Sequence, residues 1–162
     1  MAATPNVSIP QGLKPVLLYQ GAANAVACDV VSLKNVLQCW LQIIHSGAND
    51  TDLTLSLYQA TDVAAGTNKA APNVPYWLDS DAGTTSDTYV RQTDGKAITI
   101  DPATQNAVMA IFQVDPAALD VNNGYDCVYF TDSGGHASNV CTIVAYCLMR
   151  DQQATPATVI TD

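Results

Sequence analysis

The segment Thr131–His136 contains the residue types of a nucleophilic site, in the order Thr-Asp-Ser-Gly-Gly-His. Asp-Ser-Gly-Gly surrounds the nucleophile of chymotrypsin-like proteases, where a histidine takes the serine proton and an aspartate orients that histidine. Ser133 would be the nucleophile here, and His45 would be the base. The surroundings differ from that family, because Thr stands where Gly precedes the motif and His45 lies in Ile-Ile-His-Ser-Gly instead of Ala-x-His-Cys. A glycine-rich loop between two strands predicts the same letters, so a serine protease is the last of the alternatives.

Pairs of carboxylates two residues apart form the second group of candidates. Asp50 with Asp52, and Asp79 with Asp81, could bind Ca²⁺ together with backbone carbonyls. Solvated aspartates in turns produce the same spacing. Neither histidine has a Cys or a second His at metal-ligand spacing, and no nucleotide-binding glycine pattern is present. The residues therefore predict no catalytic site, no cofactor and no metal, with a Ca²⁺ site as the alternative for the acidic pairs.

The five cysteines form an odd set without a Cys-x-x-Cys pair. Four lie inside apolar runs, and thiols in a protein made in a cytosol stay reduced and behave as small buried hydrophobes. We expect buried free thiols, with disulfides formed after release, or a metal site, as the alternatives. The positions are Cys28, Cys39, Cys127, Cys141 and Cys147.

These residues must be positioned by β-strands, because apolar residues recur at every second position between Asn35 and Arg150. The runs Asn35–His45 and Leu53–Tyr58 are the clearest instances, and the polar turn Ser46–Asp50 is predicted to close a hairpin between them. One of the predicted strands is expected to be spurious. The strands are predicted at Pro15–Gln20, Ala25–Leu33, Val36–His45, Leu53–Thr61, Thr88–Thr93, Ala97–Ile100, Asn106–Val114, Asp126–Thr131 and Asn139–Met149.

Helix is scarce, and the best candidate is a single turn at Asp115–Leu119, with Asp as the N-cap and Pro at the first position. After this turn, Gly124 suits a positive φ. Tyr125 then enters the next strand like the tyrosine corner of Greek-key sandwiches, whose phenol bonds back to the backbone. The long segment Gly66–Asp87 is predicted to be irregular. Regular strand spacing with one helical turn predicts an all-β, single-domain β-sandwich of jelly-roll or Greek-key type.

The two ends of the chain differ in composition from its middle. Residues 1–13 are polar with two prolines, and the C-terminal segment is polar apart from an apolar pair, Val159 and Ile160. We expect an N-terminal arm at 1–13, a sandwich domain at 14–150 and a C-terminal tail at 151–162. One or both extended arms would lie across a neighbouring subunit, with Val159 and Ile160 as the anchors. Simple fraying is the alternative.

The charge balance restricts the partners. The chain has 162 residues, enough for one domain with an ordinary core, and a net charge of −9. Such an acidic protein is repelled by phosphate backbones, so nucleic acid is not expected as a partner. No apolar run approaches the roughly 18 residues of a membrane span, so a membrane is not expected either. The N-terminus lacks a basic start followed by an apolar run, which predicts synthesis and folding in a cytosol.

Four aromatic residues are the best candidates for an interface, because Trp and Tyr are enriched where protein surfaces bury against partners. By parity, Trp40 and Tyr58 lie on the polar sides of their strands. Tyr76 and Trp77 lie in the long segment Gly66–Asp87. Isolated surface residues are the alternative for the first two.

Four segments have a recognisable sequence pattern: Val31–Gln38, Ser46–Gly66, Val114–Val128 and the strand Val140–Tyr146 near the end. Together they resemble small structural proteins of tailed bacteriophages. The similarity extends over roughly residues 15–150.

The resemblance implies a non-enzymatic virion protein, made in the host cytoplasm, and above all a head decoration or cement protein on the capsid exterior. Its partners would be the major capsid protein and further copies of itself, as a dimer or trimer. A cement protein needs no active site, since it sums many modest contacts over a symmetric shell. The alternative is a tail, neck or host-receptor-binding module that holds a glycan or protein with the segment Gly66–Asp87.

Overall fold

The computed structural model describes residues 9–83, 87–105 and 107–161. These residues form eleven β-strands and two single-turn 3₁₀ helices, η1 (Pro116–Ala118) and η2 (Val121–Asn123). No helix in these described ranges has the length and apolar character needed to cross a membrane. The strands are β1 (Leu13–Ala22), β2 (Val31–Ser32), β3 (Val36–Ser46), β4 (Leu53–Ala60), β5 (Asn68–Ala70), β6 (Tyr76–Asp79), β7 (Val90–Arg91), β8 (Ala97–Ile100), β9 (Ala107–Val114), β10 (Cys127–Gly134) and β11 (Val140–Met149).

The strands form two antiparallel sheets, which confirms the predicted all-β class and agrees with a β-sandwich. The six-stranded sheet has the order β1-β11-β3-β9-β6-β7. The five-stranded sheet has the order β2-β10-β4-β5, and β8 also pairs with β4. The hairpin predicted across Ser46–Asp50 is wrong, because β3 and β4 lie in different sheets. The first strand, β1, is at one edge of the larger sheet. The C-terminal segment packs beside β2 of the other sheet.

Alternation along the strands gives each sheet one buried side. Every second residue of β9 is buried, and the central part of β3 repeats the pattern. Phe112 of β9 and Phe130 of β10 are both buried, and their rings meet edge to face at 5.3 Å. Because the two rings come from different sheets, a single core joins both layers.

The predicted strand Ala25–Leu33 is wrong over most of its length. Only Val31–Ser32 pairs, with β10, and the preceding residues cross between the sheets without regular pairing. Apolar residues in this crossing are buried, for example Val26 at 5% exposure, because the crossing covers the end of the core. The apolar residues of this buried connection therefore produced a strand-like pattern in the sequence, although the connection is not a strand.

The segment Gly66–Asp87 is not irregular throughout, because it contains β5 and β6. β5 is exposed at all three positions, and β6 is only four residues long, so neither presents a readable period. β5 is a strand because it pairs with the edge of β4, and β6 is a strand because it pairs with the edge of β9. The predicted strand Thr88–Thr93 shrinks to Val90–Arg91. Residues 84–86 and 106, on which parts of these predictions fall, lie outside the described residues.

The predicted helical turn is confirmed, since Pro116 opens η1 and the side chain of Asp115 accepts a hydrogen bond from the Ala117 N–H at 2.9 Å. Gly124 has the expected positive φ, +81°. Tyr125 does not form the predicted corner within the described residues. Its ring instead lies beneath the Lys69 ammonium, 4.2 Å from the ring centroid, because Tyr125 precedes β10 and turns outward.

A different tyrosine makes the corner contact. The hydroxyl of Tyr19, on β1, lies 2.7 Å from the carbonyl oxygen of Ala22 and 3.0 Å from that of Ala25. Ala22 is the last residue of β1, and Ala25 lies at the start of the crossing between the sheets. Tyr19 therefore ties β1 to the crossing, the role that the sequence assigned to Tyr125 at another turn.

The C-terminal tail folds back onto its own domain. Val159 is 2% exposed and belongs to the main core, and its carbonyl oxygen accepts a hydrogen bond from the Ser32 N–H at 2.6 Å. While the tail is docked in this way, Val159 is not available as an anchor on a neighbouring subunit, which corrects that prediction. Ile160 is 41% exposed and remains accessible. Of the predicted N-terminal arm, residues 1–8 lie outside the described residues, and Leu13 already begins β1.

The cysteines are thiols, and four of the five are buried, as predicted. Cys39 and Cys147 face each other on neighbouring strands with their sulfur atoms 4.0 Å apart. Burial raises the pKa of the Cys141 thiol to about 12 and that of Cys28 to about 11. A protonated thiol is a poor nucleophile. Cys141 lies in the main core, and the partly buried Cys28 packs against it.

Candidate interaction surface

The outer side of the six-stranded sheet is apolar and almost uncharged. Its residues alternate with the core residues of the same strands, so they point away from the five-stranded sheet. We call this surface the apolar sheet face. Its apolar members are Leu13, Pro15, Leu17, Trp40, Ile44, Trp77, Met109, Ile111, Val140, Val144, Tyr146 and Leu148. Its uncharged polar members are Gln20, Gln38, Gln42, Ser46, Gln113 and Thr142.

The strand register makes this surface continuous across five strands. One row runs through Leu17, Val144, Gln42, Ile111 and Trp77, each directly opposite the next. Side chains directly opposite on neighbouring strands are about 4.5–5.5 Å apart at Cβ, close enough to contact. The apolar residues therefore form one patch and not a set of isolated positions.

A shallow depression of about 310 Å³ lies within the patch. It is lined by Leu13, Trp40, Gln42, Ile111 and Tyr146. Trp40 and Tyr146 are directly opposite each other on β3 and β11, so the two large rings stand side by side at the depression. A depression lined in this way can receive an apolar side chain from a partner.

Projecting apolar side chains lie on the same face as the depression. Leu17 is 54% exposed, Val140 is 45% exposed and Ile44 is 36% exposed. Contiguous exposed apolar area beyond a few hundred Å² is rare on monomeric proteins and usually marks an interaction site. The patch is thus the strongest binding feature among the described residues.

Among the described residues, the charged groups on this face are confined to the β6–β7 margin. Arg91 covers the ring of Trp77, with its guanidinium carbon 5.1 Å from the ring centroid, and also pairs with Asp94. Asp79 is only 3% exposed, and it accepts a hydrogen bond from the Asp81 N–H at 3.2 Å. The chain has a net charge of −9. The centre of the apolar sheet face nevertheless contains no acidic side chain among the described residues.

The structure separates the four aromatic residues predicted for an interface. Trp40 and Trp77 lie on the apolar sheet face. Tyr76 does not, because neighbours in a strand point to opposite sides, and its ring stacks on Phe112 with centroids 4.6 Å apart. The expected interface role of Tyr76 is corrected to core packing.

Tyr58 lies on the opposite side of the molecule, where it contacts Tyr129 with centroids 5.9 Å apart. This outer side of the five-stranded sheet we call the hydroxyl face. Its hydroxyls also contact each other, since the Thr54 and Thr99 oxygens are 2.9 Å apart. The hydroxyl face consists of Thr54, Ser56, Tyr58, Thr99, Tyr129, Thr131 and Ser133.

Sequence reasoning missed most of the apolar sheet face. The signal was present in β9 and β11, whose sequences Ala-Val-Met-Ala-Ile-Phe-Gln-Val and Val-Cys-Thr-Ile-Val-Ala-Tyr-Cys-Leu-Met are apolar at both parities. An antiparallel strand with one solvated side normally alternates between apolar and polar residues. A strand that is apolar on both sides is expected to be covered on both sides.

The protease motif is explained by backbone geometry. Gly134 and Gly135 both have positive φ, +82° and +81°. A side-chain Cβ at Gly134 would lie 2.3 Å from the Asp52 carbonyl oxygen, and one at Gly135 would lie 2.1 Å from that of Ala23. Only glycine fits such positions without strain. The Gly-Gly pair therefore allows this turn to pack closely against the segments that contain Asp52 and Ala23.

The residues of the proposed dyad are not brought together. Ser133 pairs with Thr54 in the five-stranded sheet, whereas His45 pairs with Cys141 in the six-stranded sheet. His45 is 1% exposed, and neither ring nitrogen has a hydrogen-bond partner among the described residues. Burial lowers the pKa of the His45 imidazole and so favours its neutral form.

The described part of the chain contains no group of three or more His, Cys, Asp or Glu side chains placed to share a metal. The hydrogen bond from the Asp81 N–H to Asp79 accounts for one of the acidic pairs as a turn.

Comparison with known proteins adds no family. No protein-family model matches this chain, and no curated protein sequence matches it.

Proposed function

We propose that this chain is a non-enzymatic structural protein of a tailed-phage virion, namely a decoration or cement protein on the capsid exterior. Its partners would be the major capsid protein and further copies of the chain. The observation that carries the proposal is the apolar sheet face, a contact surface of twelve apolar side chains with charge only at its margin. No grouping of described residues offers a comparable basis for a reaction.

The energetics suit a protein that works by contact. Complete burial of one Val, Leu, Ile, Phe or Met side chain contributes about 1.5–3 kcal/mol. Several such side chains on one face can sustain a modest interaction, and many symmetric copies add their contributions over a shell. The acidic remainder of the surface suits a place outside the shell, away from packaged DNA.

The strand pairing supports a jelly-roll arrangement, the finer topology that we propose for the sandwich. The first four strands pair with the last four in reverse order, as β1 with β11, β2 with β10, β3 with β9 and β4 with β8. This is the pairing of one long two-stranded ribbon. Rolling the ribbon up creates the further pairs β11 with β3 and β10 with β4. Jelly rolls with two packed sheets are common in viral capsid domains, although a fold alone does not establish a function.

The receptor-binding alternative has less support. It needs the aromatics of Gly66–Asp87 to be offered from a loop, but Tyr76 packs on the core and Trp77 lies within a sheet. A tail or neck position with the same contact surface stays a second candidate, because an apolar face does not distinguish the head from the tail.

The proposal is tested by quantitative mass spectrometry of particles purified from cells in which the gene is expressed from its phage genome. We expect the chain at hundreds of copies per particle, in a fixed ratio to the major capsid protein. Deleting the gene should give particles that lose DNA at lower temperature, and adding the purified chain should reverse this. A few copies per particle, found in the tail fraction, would favour the tail alternative. Absence of the chain from purified particles would contradict the proposal.

A further inference from the structure

We infer that the occupant of the apolar sheet face is a second copy of this chain, packed sheet against sheet about a two-fold axis. The inference deepens the proposed function and rests on its premise that this face is a protein-contact surface. It adds the identity of the partner and the geometry of the pair.

The size of the face suits a dimer. Strands lie about 4.8 Å apart and rise about 3.3 Å per residue, so the lengths of β1, β11, β3, β9 and β6 give roughly 700 Å² in plan. A standard specific interface buries about 800 Å² on each partner, whereas most crystal-packing contacts bury less than half of that. The face is therefore large enough for a stable pair without help from other surfaces.

The charge pattern favours an identical partner over an oppositely charged one. A chain with net charge −9 would recognise a basic partner through its carboxylates, but the centre of this face has none. Two copies, by contrast, repel each other wherever their acidic surfaces meet. An uncharged apolar patch lets two such acidic molecules come together without like-charge contacts.

The polar groups of the face are self-complementary. They are glutamine amides and hydroxyls, among them Gln38, Gln42 and Gln113 near the centre. An amide both donates and accepts hydrogen bonds, so a residue of this type can pair with its own counterpart across a two-fold axis. A lysine or an aspartate at the same place could not.

The shape of the apolar sheet face is also compatible with self-association about a two-fold axis. In a two-fold interface every projection must meet a recess on the same surface. The face carries both, since the depression beside Trp40 and Tyr146 and the projecting side chains of Leu17 and Ile44 lie on the same surface. Sheets that pack face to face lie about 10 Å apart with interdigitating side chains, and the apolar rows described above provide such side chains.

The test is sedimentation velocity of the full chain between 1 and 100 µM, with reductant, for the unmodified protein and three variants. Q42E and I44E place a carboxylate on the apolar sheet face, and the former is nearly isosteric. T131E places one at a half-buried position on the hydroxyl face as the matched control. Circular dichroism melting establishes that each variant is folded.

We expect the unmodified chain to sediment as a dimer, with twice the 17.1 kDa of one chain. Like charges facing each other across the axis should weaken the dimer about 100-fold in I44E and about 10-fold in Q42E, and T131E should leave it unchanged. Raising the salt concentration should strengthen the dimer, because salt screens the repulsion between two acidic copies.

Other outcomes overturn the inference. They are a monomer at 100 µM, a trimer, a dimer that withstands both face variants, or a dimer weakened equally by T131E. A monomer whose I44E variant no longer attaches to purified particles would assign the face to a shell protein instead, and the proposed function would stand. A dimer with the expected variant pattern, in a chain absent from particles, would leave the inference intact and remove the proposed function.

Discussion

The two outer faces of this molecule are built on the same alternating pattern and yet have opposite character. The hydroxyl face presents threonine, serine and tyrosine oxygens, which bond to one another or to water, as the 2.9 Å contact between Thr54 and Thr99 illustrates. The apolar sheet face presents Trp40, Ile111 and Tyr146 around a depression, with charge only at its margin.

The contrast between the polar and the apolar outer face distinguishes the residues that folding requires from those that binding would require. Both sheets bury their inner sides in one core, so folding alone demands only one apolar side per sheet. The second apolar side of the six-stranded sheet contributes nothing to that core. Its composition is explained if another protein covers it.

The largest expected effect contrasts two neighbours in β9. Phe112 points into the core against Phe130, and Ile111 points outward. Phe112→Ala should lower the free energy of unfolding by about 3–5 kcal/mol, because it leaves a cavity between the sheets. Ile111→Ala should lower it by much less and weaken self-association instead. Urea denaturation and sedimentation measure the two effects, and equal losses of stability would contradict the assignment of the two sides.

The second contrast concerns one aromatic residue from each outer face. Trp40→Ala should weaken self-association at least about 30-fold, the effect of losing about 2 kcal/mol at an interface hot spot. Tyr58→Ala, on the hydroxyl face, should leave association unchanged. Both dissociation constants can be measured by titration calorimetry of dimer dilution. A larger loss for Tyr58→Ala would reverse our assignment of the binding face.

The third contrast lies at the end of β10, where the hydroxyl face meets the glycine pair. Gly134→Ala should destabilise the fold by about 1–3 kcal/mol, because its φ is +82° and the added Cβ would meet the Asp52 carbonyl. Ser133→Ala should change stability by less than about 0.5 kcal/mol. Thermal melting measures both. Loss of a hydrolytic activity in Ser133→Ala, after rigorous purification, would revive the protease alternative.

The smallest expected effect depends on pH and on the inner side of the larger sheet. Burial lowers the pKa of His45 in the folded state below its ordinary value of 6.5. Above pH 6.5 the imidazole is neutral in both states, and as the pH falls further the unfolded chain binds the proton first. Stability, measured as the melting temperature, should therefore decline from pH 6.5 towards the folded-state pKa. His45→Leu should remove this part of the decline, and since its carboxylates are unchanged, the difference between the two pH profiles isolates His45. An identical decline in both proteins would exclude His45 as the cause.

Much of the fold could be predicted because long strands alternate visibly. β3, β4 and β11 were predicted to within a few residues, since each runs over at least eight residues with a buried side. The helical turn at Asp115 was also readable, because its N-cap and proline act locally. Short strands such as β6 could not be read, since four residues contain no period and pairing with β9 decides them.

The candidate site was only partly readable. Residue type predicts an interface role for Trp40 and Trp77, and the structure brings them to one face. The same criterion selects Tyr76, but strand parity places it in the core. The polar tail predicts that Val159 is an anchor on another subunit, whereas the tail returns to its own domain. Residue type alone does not reveal on which side of a sheet a side chain lies.

By itself, the sequence determined the all-β class, the main strands, the helical turn and the acidic charge, because each depends on neighbours within a few residues or on simple counts. Tertiary structure alone decided which strands adjoin, and hence that Leu17, Val144, Gln42 and Ile111 form one row. The physical reason is that a surface patch is assembled from strands far apart in the chain, and their order and register are set by the shared core.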